Sequence, residues 1–177
     1  MSHDEPTPMS DISAHLRSAV GSDIVDEWEM TEHETEQGRR RRRALKDVWE
    51  QAMHRGDHVT VLIPAGRFTG TVDFVGNDYA TVISDGTSWD LRADRSLMTT
   101  RRANSGGHTV SGGSRTFKAR LAEYESTGEH VTLIVGSHGL EFGGRIVVTA
   151  TDHVLLSDGG RTVVVPTGTI DAVRRIV

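Results

Sequence analysis

The sequence predicts a mainly β chain with helices: two tandem small barrels, each an N-terminal helix plus five bent antiparallel strands, behind an acidic tail. Three observations carry that prediction. "RGDHVTV" at residues 55–61 returns as "TGEHVTL" at residues 127–133. Four landmarks keep their order and nearly their spacing: Gly56 with Gly128, Gly70 with Gly144, Ser84-Asp85-Gly86 with Ser157-Asp158-Gly159, and Arg101-Arg102 with Arg174-Arg175. One hexamer could recur by chance, but four ordered landmarks mark a duplication. Between them, short β-type runs are cut by turn residues.

The tail comes first. Residues 1–37 hold ten acids and one base, a net charge of −9, which leaves 15 acids and 19 bases to the other 140 residues. Pro6, Pro8 and scattered polar groups predict that its start is disordered or weakly helical. Residues 38–102 form the first predicted barrel, opening on "RRRRR" at Arg39–Arg43. Leu45, Val48, Trp49, Ala52 and Met53 then recur at helical spacing as one apolar stripe. The second predicted barrel, 116–177, repeats this with Phe117, Leu121 and Tyr124. Gly56 and Gly128 each stand where a helix C-cap needs positive φ. The shared opening motif therefore reads as a helix stop followed by a strand.

Strands are predicted near 58–63, 67–75, 78–84, 87–92 and 96–102, and again near 130–135, 139–149, 152–157, 161–165 and 169–176. "SDG" marks a tight hairpin turn in both copies, because Asp-Gly supplies the positive φ of a primed turn. One copy is small enough to be marginal alone, and closure into a barrel would leave few free edges. Residues 103–115, "ANSGGHTVSGGSR", read as a flexible linker spanning roughly 20 Å. The two units could therefore move independently or pack side by side.

"GRFTGTVDFVGNDYATV" and "LEFGGRIVVTATDHVLL", each following a helix and a first strand, resemble the second and third strands of the Sm-like fold. That family holds the Sm and LSm proteins and the bacterial RNA chaperone Hfq. The resemblance covers about residues 44–102 and 116–177, and "DHVLL" with "TVVVPTGTIDAVRRI" is most similar to the bacterial members. It implies RNA binding and oligomers joined through barrel edges. Counted from Gly70, the places of the family's bend Asp, base-stacking residue and uracil-reading Asn hold Gly76, Asp78 and Ala80. Counted from Gly144, they hold Ala150, Asp152 and Val154. These side chains neither stack on a base nor read its edge, so RNA contact would use another surface. The family's Arg-Gly pair before the last strand is half kept, as Arg92-Ala93.

That surface is predicted to be the arginines. Guanidiniums neutralise phosphates without reading sequence, and the candidates are Arg39, Arg40, Arg41, Arg42, Arg43, Arg92, Arg101, Arg102, Arg174 and Arg175. For the Arg39–Arg43 run a second reading stands open. Glu36 lies one turn before Arg40, and the upstream acids could neutralise the run as a solvated helix. Arg101-Arg102 and Arg174-Arg175 could equally make ion pairs at strand ends. Two function classes follow: a non-enzymatic nucleic-acid-binding protein acting through Arg surfaces, or a protein-interaction or scaffolding module that does not bind RNA.

Other chemistries find little support. The chain has no Cys, hence no disulfide, thiolate metal site or thiol nucleophile. His58 and His130 recur without a second ligand beside them, so no metal is expected. There is no Gly-x-Ser-x-Gly elbow and no Gly-Lys-Ser/Thr phosphate loop, so neither an enzyme nor a cofactor is expected. "MSHDEPTPMSDISAHL" lacks the basic start and apolar centre of a signal peptide, and no stretch approaches the ~20 apolar residues of a membrane span. The expected location is the cytoplasm, with no membrane partner.

Overall fold

Short strands joined by tight turns favour antiparallel pairing of neighbours, and the computed structural model of the chain shows an antiparallel sheet. It describes residues 44–103, 106, 107, 109, 113, 115–136 and 139–176. The acidic segment 1–37, the Arg39–Arg43 run and much of the 103–115 linker lie outside the described residues.

Helix α1, Leu45–Arg55, starts after Ala44, whose backbone is extended. The Asp47 carboxylate accepts the Ala44 N–H at 2.8 Å and closes the first turn. Trp49, Ala52 and Met53 are buried, while Leu45 and Val48 stay 47% and 37% exposed. Only the later part of the expected stripe thus meets a core. Helix α2, Phe117–Thr127, starts beneath two oxygens: Thr116 Oγ1 accepts from Ala119 N–H, and Asp78 Oδ1 accepts from Phe117 N–H at 2.7 Å. Phe117, Leu121 and Tyr124 are all buried. Gly56 at φ 66° and Gly128 at φ 65° end the two helices in the left-handed region.

The strands are β1 (His58–Ile63), β2 (Gly66–Val75), β3 (Tyr79–Ser84), β4 (Thr87–Arg92), β5 (Leu97–Arg101), β6 (His130–Val135), β7 (Leu140–Thr149), β8 (His153–Asp158), β9 (Arg161–Pro166) and β10 (Ile170–Ile176). The β3–β4 turn is the expected Asp85-Gly86. Its counterpart moves by one residue: Asp158 pairs with Arg161, and the central turn residues are Gly159-Gly160. Among the described residues no helix is long and apolar enough to cross a membrane.

The expectation of two separate closed barrels is overturned. All ten strands lie in one open antiparallel sheet, ordered β5-β1-β2-β3-β4-β10-β6-β7-β8-β9, with two α-helices among the described residues. Closing the first half would require β4 to meet β5. A single 3-10 turn at Ala93–Arg95 instead carries β5 across to β1, and β4 pairs with β10 over five residue pairs, Leu91–Ala172 to Thr87–Ile176. The duplication survives as two halves with the same strand order, not as a tandem repeat of closed barrels.

The halves also share their cores. Alternation along each strand places neighbours on opposite faces. On β10, Ala172 joins the α1 core and Val173 the α2 core. Ile134 of the second half packs into the α1 core, and Tyr79 of the first half packs into the α2 core. The buried face of the sheet therefore changes sides at the β4–β10 seam.

A polar cluster locks that seam. Asp90 on β4 is fully buried, and its Oδ1 accepts from Thr81 Oγ1 at 2.6 Å. Its Oδ2 accepts from Arg120 Nε at 2.9 Å and from the Tyr124 hydroxyl, both on α2. Burial and then the Asp90 carboxylate push the Tyr79 and Tyr124 hydroxyls well above the usual tyrosine range. Burial opposes the charge on Arg120, but the adjacent Asp90 more than offsets it. Arg95 adds a further crossing, 3.4 Å from the buried Asp171.

Gly70 and Gly144 recur because β2–β3 and β7–β8 leave no room there for a side chain. An added Cβ would stand 2.2 Å from the Ile83 carbonyl oxygen at Gly70, and 2.4 Å from that of Ser157 at Gly144. Gly70→Ala and Gly144→Ala should each cost about 1–3 kcal/mol by forced backbone shift. Gly168→Ala, with nothing within 4 Å, should leave urea unfolding unchanged.

Candidate nucleic-acid interface

β1 buries Val59, Val61 and Ile63, so His58, Thr60 and Leu62 take the opposite face. The register sets three cross-strand rows there. Arg101, His58 and Thr71 form the first, Thr99, Thr60 and Thr69 the second, and Leu97, Leu62 and Arg67 the third. Toward the first row the surface dips into a groove of about 660 Å³, lined by His58, Thr60, Thr69, Thr99, Thr100, Arg101, Arg102 and Ala103. The Thr60 and Thr69 hydroxyls lie 3.5 Å apart.

Charge on this face is one-sided. Arg67, Arg101 and Arg102 are exposed and make no ion pair among the described residues. Asp57, beside the groove, is buried, and its Oδ1 accepts the Ala103 N–H at 3.4 Å. Two guanidiniums, an imidazole and four threonine hydroxyls thus offer hydrogen-bond donors to an anion. Among the described residues no Phe, Tyr or Trp lines the groove for a base to stack on.

The other candidate arginines are occupied. Arg92 holds Asp94 through both carboxylate oxygens, at 2.9 and 2.7 Å, and lies over the Phe117 ring at 5.4 Å. That hydrogen bond keeps the Asp94 carboxyl below its ordinary range. Arg174 donates to Glu141 at 2.8 Å and lies over Trp89 at 5.6 Å. Arg175 lies 3.4 Å from Glu129. Arg39–Arg43 fall outside the described residues.

The recurrence of Arg101-Arg102 as Arg174-Arg175 is not a structural equivalence. Arg101 sits opposite His58, whereas Arg174 sits opposite Thr132, the repeat's counterpart of Thr60. The two pairs are two residues out of register, and β10 carries a bulge between Ile170 and Ala172. Where the second half places Arg174 against Glu141, the first half places Thr99 beside Thr60.

The positions where the Sm-like resemblance would put base readers have other work. Asp78 holds the first turn of α2, Ala80 is fully buried, and Asp152 pairs with His153 at 2.8 Å on the surface. That bond holds the Asp152 carboxyl below its ordinary range. Sequence reasoning missed the threonine rows and the Asp90 cluster. The alternation of His58, Thr60 and Leu62 was the available signal for the rows. Among the described residues no group of three or more His, Asp or Glu side chains could hold a metal ion. No protein-family model and no curated protein matches the chain.

Proposed function

We propose that this is a non-enzymatic nucleic-acid-binding protein that holds phosphate backbone through arginine surfaces, with the β5-β1-β2 groove as one of them. The observation that carries the reading is that Arg101 and Arg102, exposed beside His58 and the threonines, make no ion pair among the described residues, while Arg174 is neutralised by Glu141. The resemblance to RNA-binding Sm-like proteins supports it on sequence motifs alone, since the closed barrel is absent. A groove of cationic and hydroxyl donors in which no Phe, Tyr or Trp is found among the described residues meets phosphates rather than bases, so binding is sequence-blind.

The test is the double variant Arg101→Gln/Arg102→Gln, read by fluorescence anisotropy on RNA and DNA oligomers at several salt concentrations. Losing up to two phosphate contacts on a single strand should flatten the slope of log K against log salt by about 1.4. A parent protein without salt-dependent binding, or a variant with the parent's slope, overturns the groove reading. The second reading, a protein-interaction or scaffolding module, draws on the occupied state of Arg92, Arg174 and Arg175. It takes over if the parent binds neither RNA nor DNA.

A further inference from the structure

The two halves share one strand register but differ in what covers one face of it. Phe74, Thr81 and Asp90 form a cross-strand row in the first half, and Val148, Leu155 and Val164 form its counterpart in the second. The bends before β3 and β8 match as well. Gly76 N–H donates to the Tyr79 carbonyl and Ala150 N–H to that of His153. Ala93 N–H donates to the Asp78 carbonyl and Thr167 N–H to that of Asp152.

In the first half α2 covers this face. The Tyr79 ring lies 5.7 Å from Phe74 and 6.0 Å from Phe117, Asp90 takes Arg120 and Tyr124, and Asp78 accepts the Phe117 N–H. In the second half no helix covers it among the described residues, and Val148 is 40% and Val164 61% exposed. Composition runs against exposure. Where the covered row holds Thr81 and Asp90, the open row holds Leu155 and Val164. An exposed apolar row of this kind marks an interaction surface. Asp152, the counterpart of the capping Asp78, has an 86% exposed side chain, with His153 at 2.8 Å.

We infer that the β7-β8-β9 face docks a helix of another protein, seated as α2 is seated on the first half, with its first turn on Asp152 and an uncharged stripe on Val148, Leu155 and Val164. A carboxylate at the helix start complements the positive end of the dipole and accepts from its orphan N–H groups. Val164 stands where Asp90 meets Arg120, so the partner carries an apolar side chain in place of that arginine. A charge there would be buried without a partner. The face shares no residue with the arginine groove, so the inference stands whether or not the chain binds nucleic acid.

Fluorescence anisotropy on the full chain tests this with a labelled peptide of residues 116–127 carrying Arg120→Leu/Tyr124→Phe. A staple between positions 118 and 122, both exposed on α2, holds it helical. It should bind the parent one to one. Val164→Asp should weaken it about ten-fold or more, by setting a carboxylate against leucine, and Asp152→Ala about five-fold by removing the cap. The peptide with Arg120 and Tyr124 kept should show the reverse order, binding Val164→Asp more tightly than the parent. Both replaced side chains are exposed, so the parent's melting temperature should be kept. A substituted peptide that fails to bind, or binds Val164→Asp as it binds the parent, overturns the inference. An Asp152→Ala variant with the parent's affinity overturns the placing of the helix start. Sedimentation velocity checks the occupant. A parent that self-associates, and loses this with Val164→Asp, fills the face with a second copy and overturns the assignment to another protein.

Discussion

Asp90→Ala should lower unfolding free energy by about 3–5 kcal/mol, the range for breaking a buried ion pair by removing one partner. Asp90 accepts from Thr81, Arg120 and Tyr124 with no exposure to water. Its loss leaves two buried hydroxyls without their acceptor. Arg120, only 14% exposed, keeps Glu123 at 2.9 Å and the Tyr124 ring at 4.6 Å as neighbours. Domains commonly have about 5–15 kcal/mol in total, so this one change removes a large share of it. The loss is cooperative because Asp90 belongs to the first half and α2 to the second. Urea unfolding followed by tryptophan fluorescence reads it, since Trp89 lies beside Asp90 on the seam strand. The quadruple variant Asp90→Leu/Arg120→Met/Thr81→Val/Tyr124→Phe should recover most of the stability, because apolar groups of similar volume replace a buried polar cluster at little cost once no donor is left without its acceptor. An Asp90→Ala loss below about 1 kcal/mol, the net worth of one ordinary hydrogen bond, would contradict the cluster's role.

The features written within a few residues were legible in the sequence. Gly56 and Gly128 stop helices, Asp85-Gly86 turns a hairpin, and Phe117, Leu121 and Tyr124 face a core, because each depends on local backbone or on one period. Partner choice between strands was not legible. "TSWDLR" alternates in the same way whether its free edge meets β5 or β10, so the pattern cannot distinguish a closed barrel from an open sheet. Asp90 shows the consequence: as the polar residue between Trp89 and Leu91 it reads as solvent-facing. It becomes buried only because β10 and α2 cover it.

The arginines failed to read out for a related reason. Recurrence in sequence makes Arg101-Arg102 and Arg174-Arg175 look like equivalent places, but the register sets Arg101 and Arg174 opposite different rows. Acids distant in sequence then decide which guanidinium stays free. Glu141 lies 33 residues from Arg174, and Glu129 lies 46 from Arg175. Composition reports all of these charges and none of their pairings.

Replacing Arg39–Arg43 by Gln should flatten the salt dependence of nucleic-acid binding by roughly 3 in the slope of log K against log salt, since each single-strand phosphate contact contributes about 0.7. The expected loss exceeds that of Arg101→Gln/Arg102→Gln because five guanidiniums are removed rather than two. Stability should stay at the parent's value, since Gln keeps good helix propensity and the first turn of α1 is closed by its own Asp47. Deleting residues 1–37, which carry the net charge of −9, should act oppositely and tighten binding, because those acids compete with phosphate for the same guanidiniums. The effect should shrink as salt screens the competition. Anisotropy titrations of both variants against the parent, on unrelated RNA and DNA sequences, separate the two readings of this run. If the Gln variant binds with the parent's slope while the deletion changes nothing, Arg39–Arg43 are a self-neutralised solvated stretch. Any binding then falls to the groove at Arg101 and Arg102.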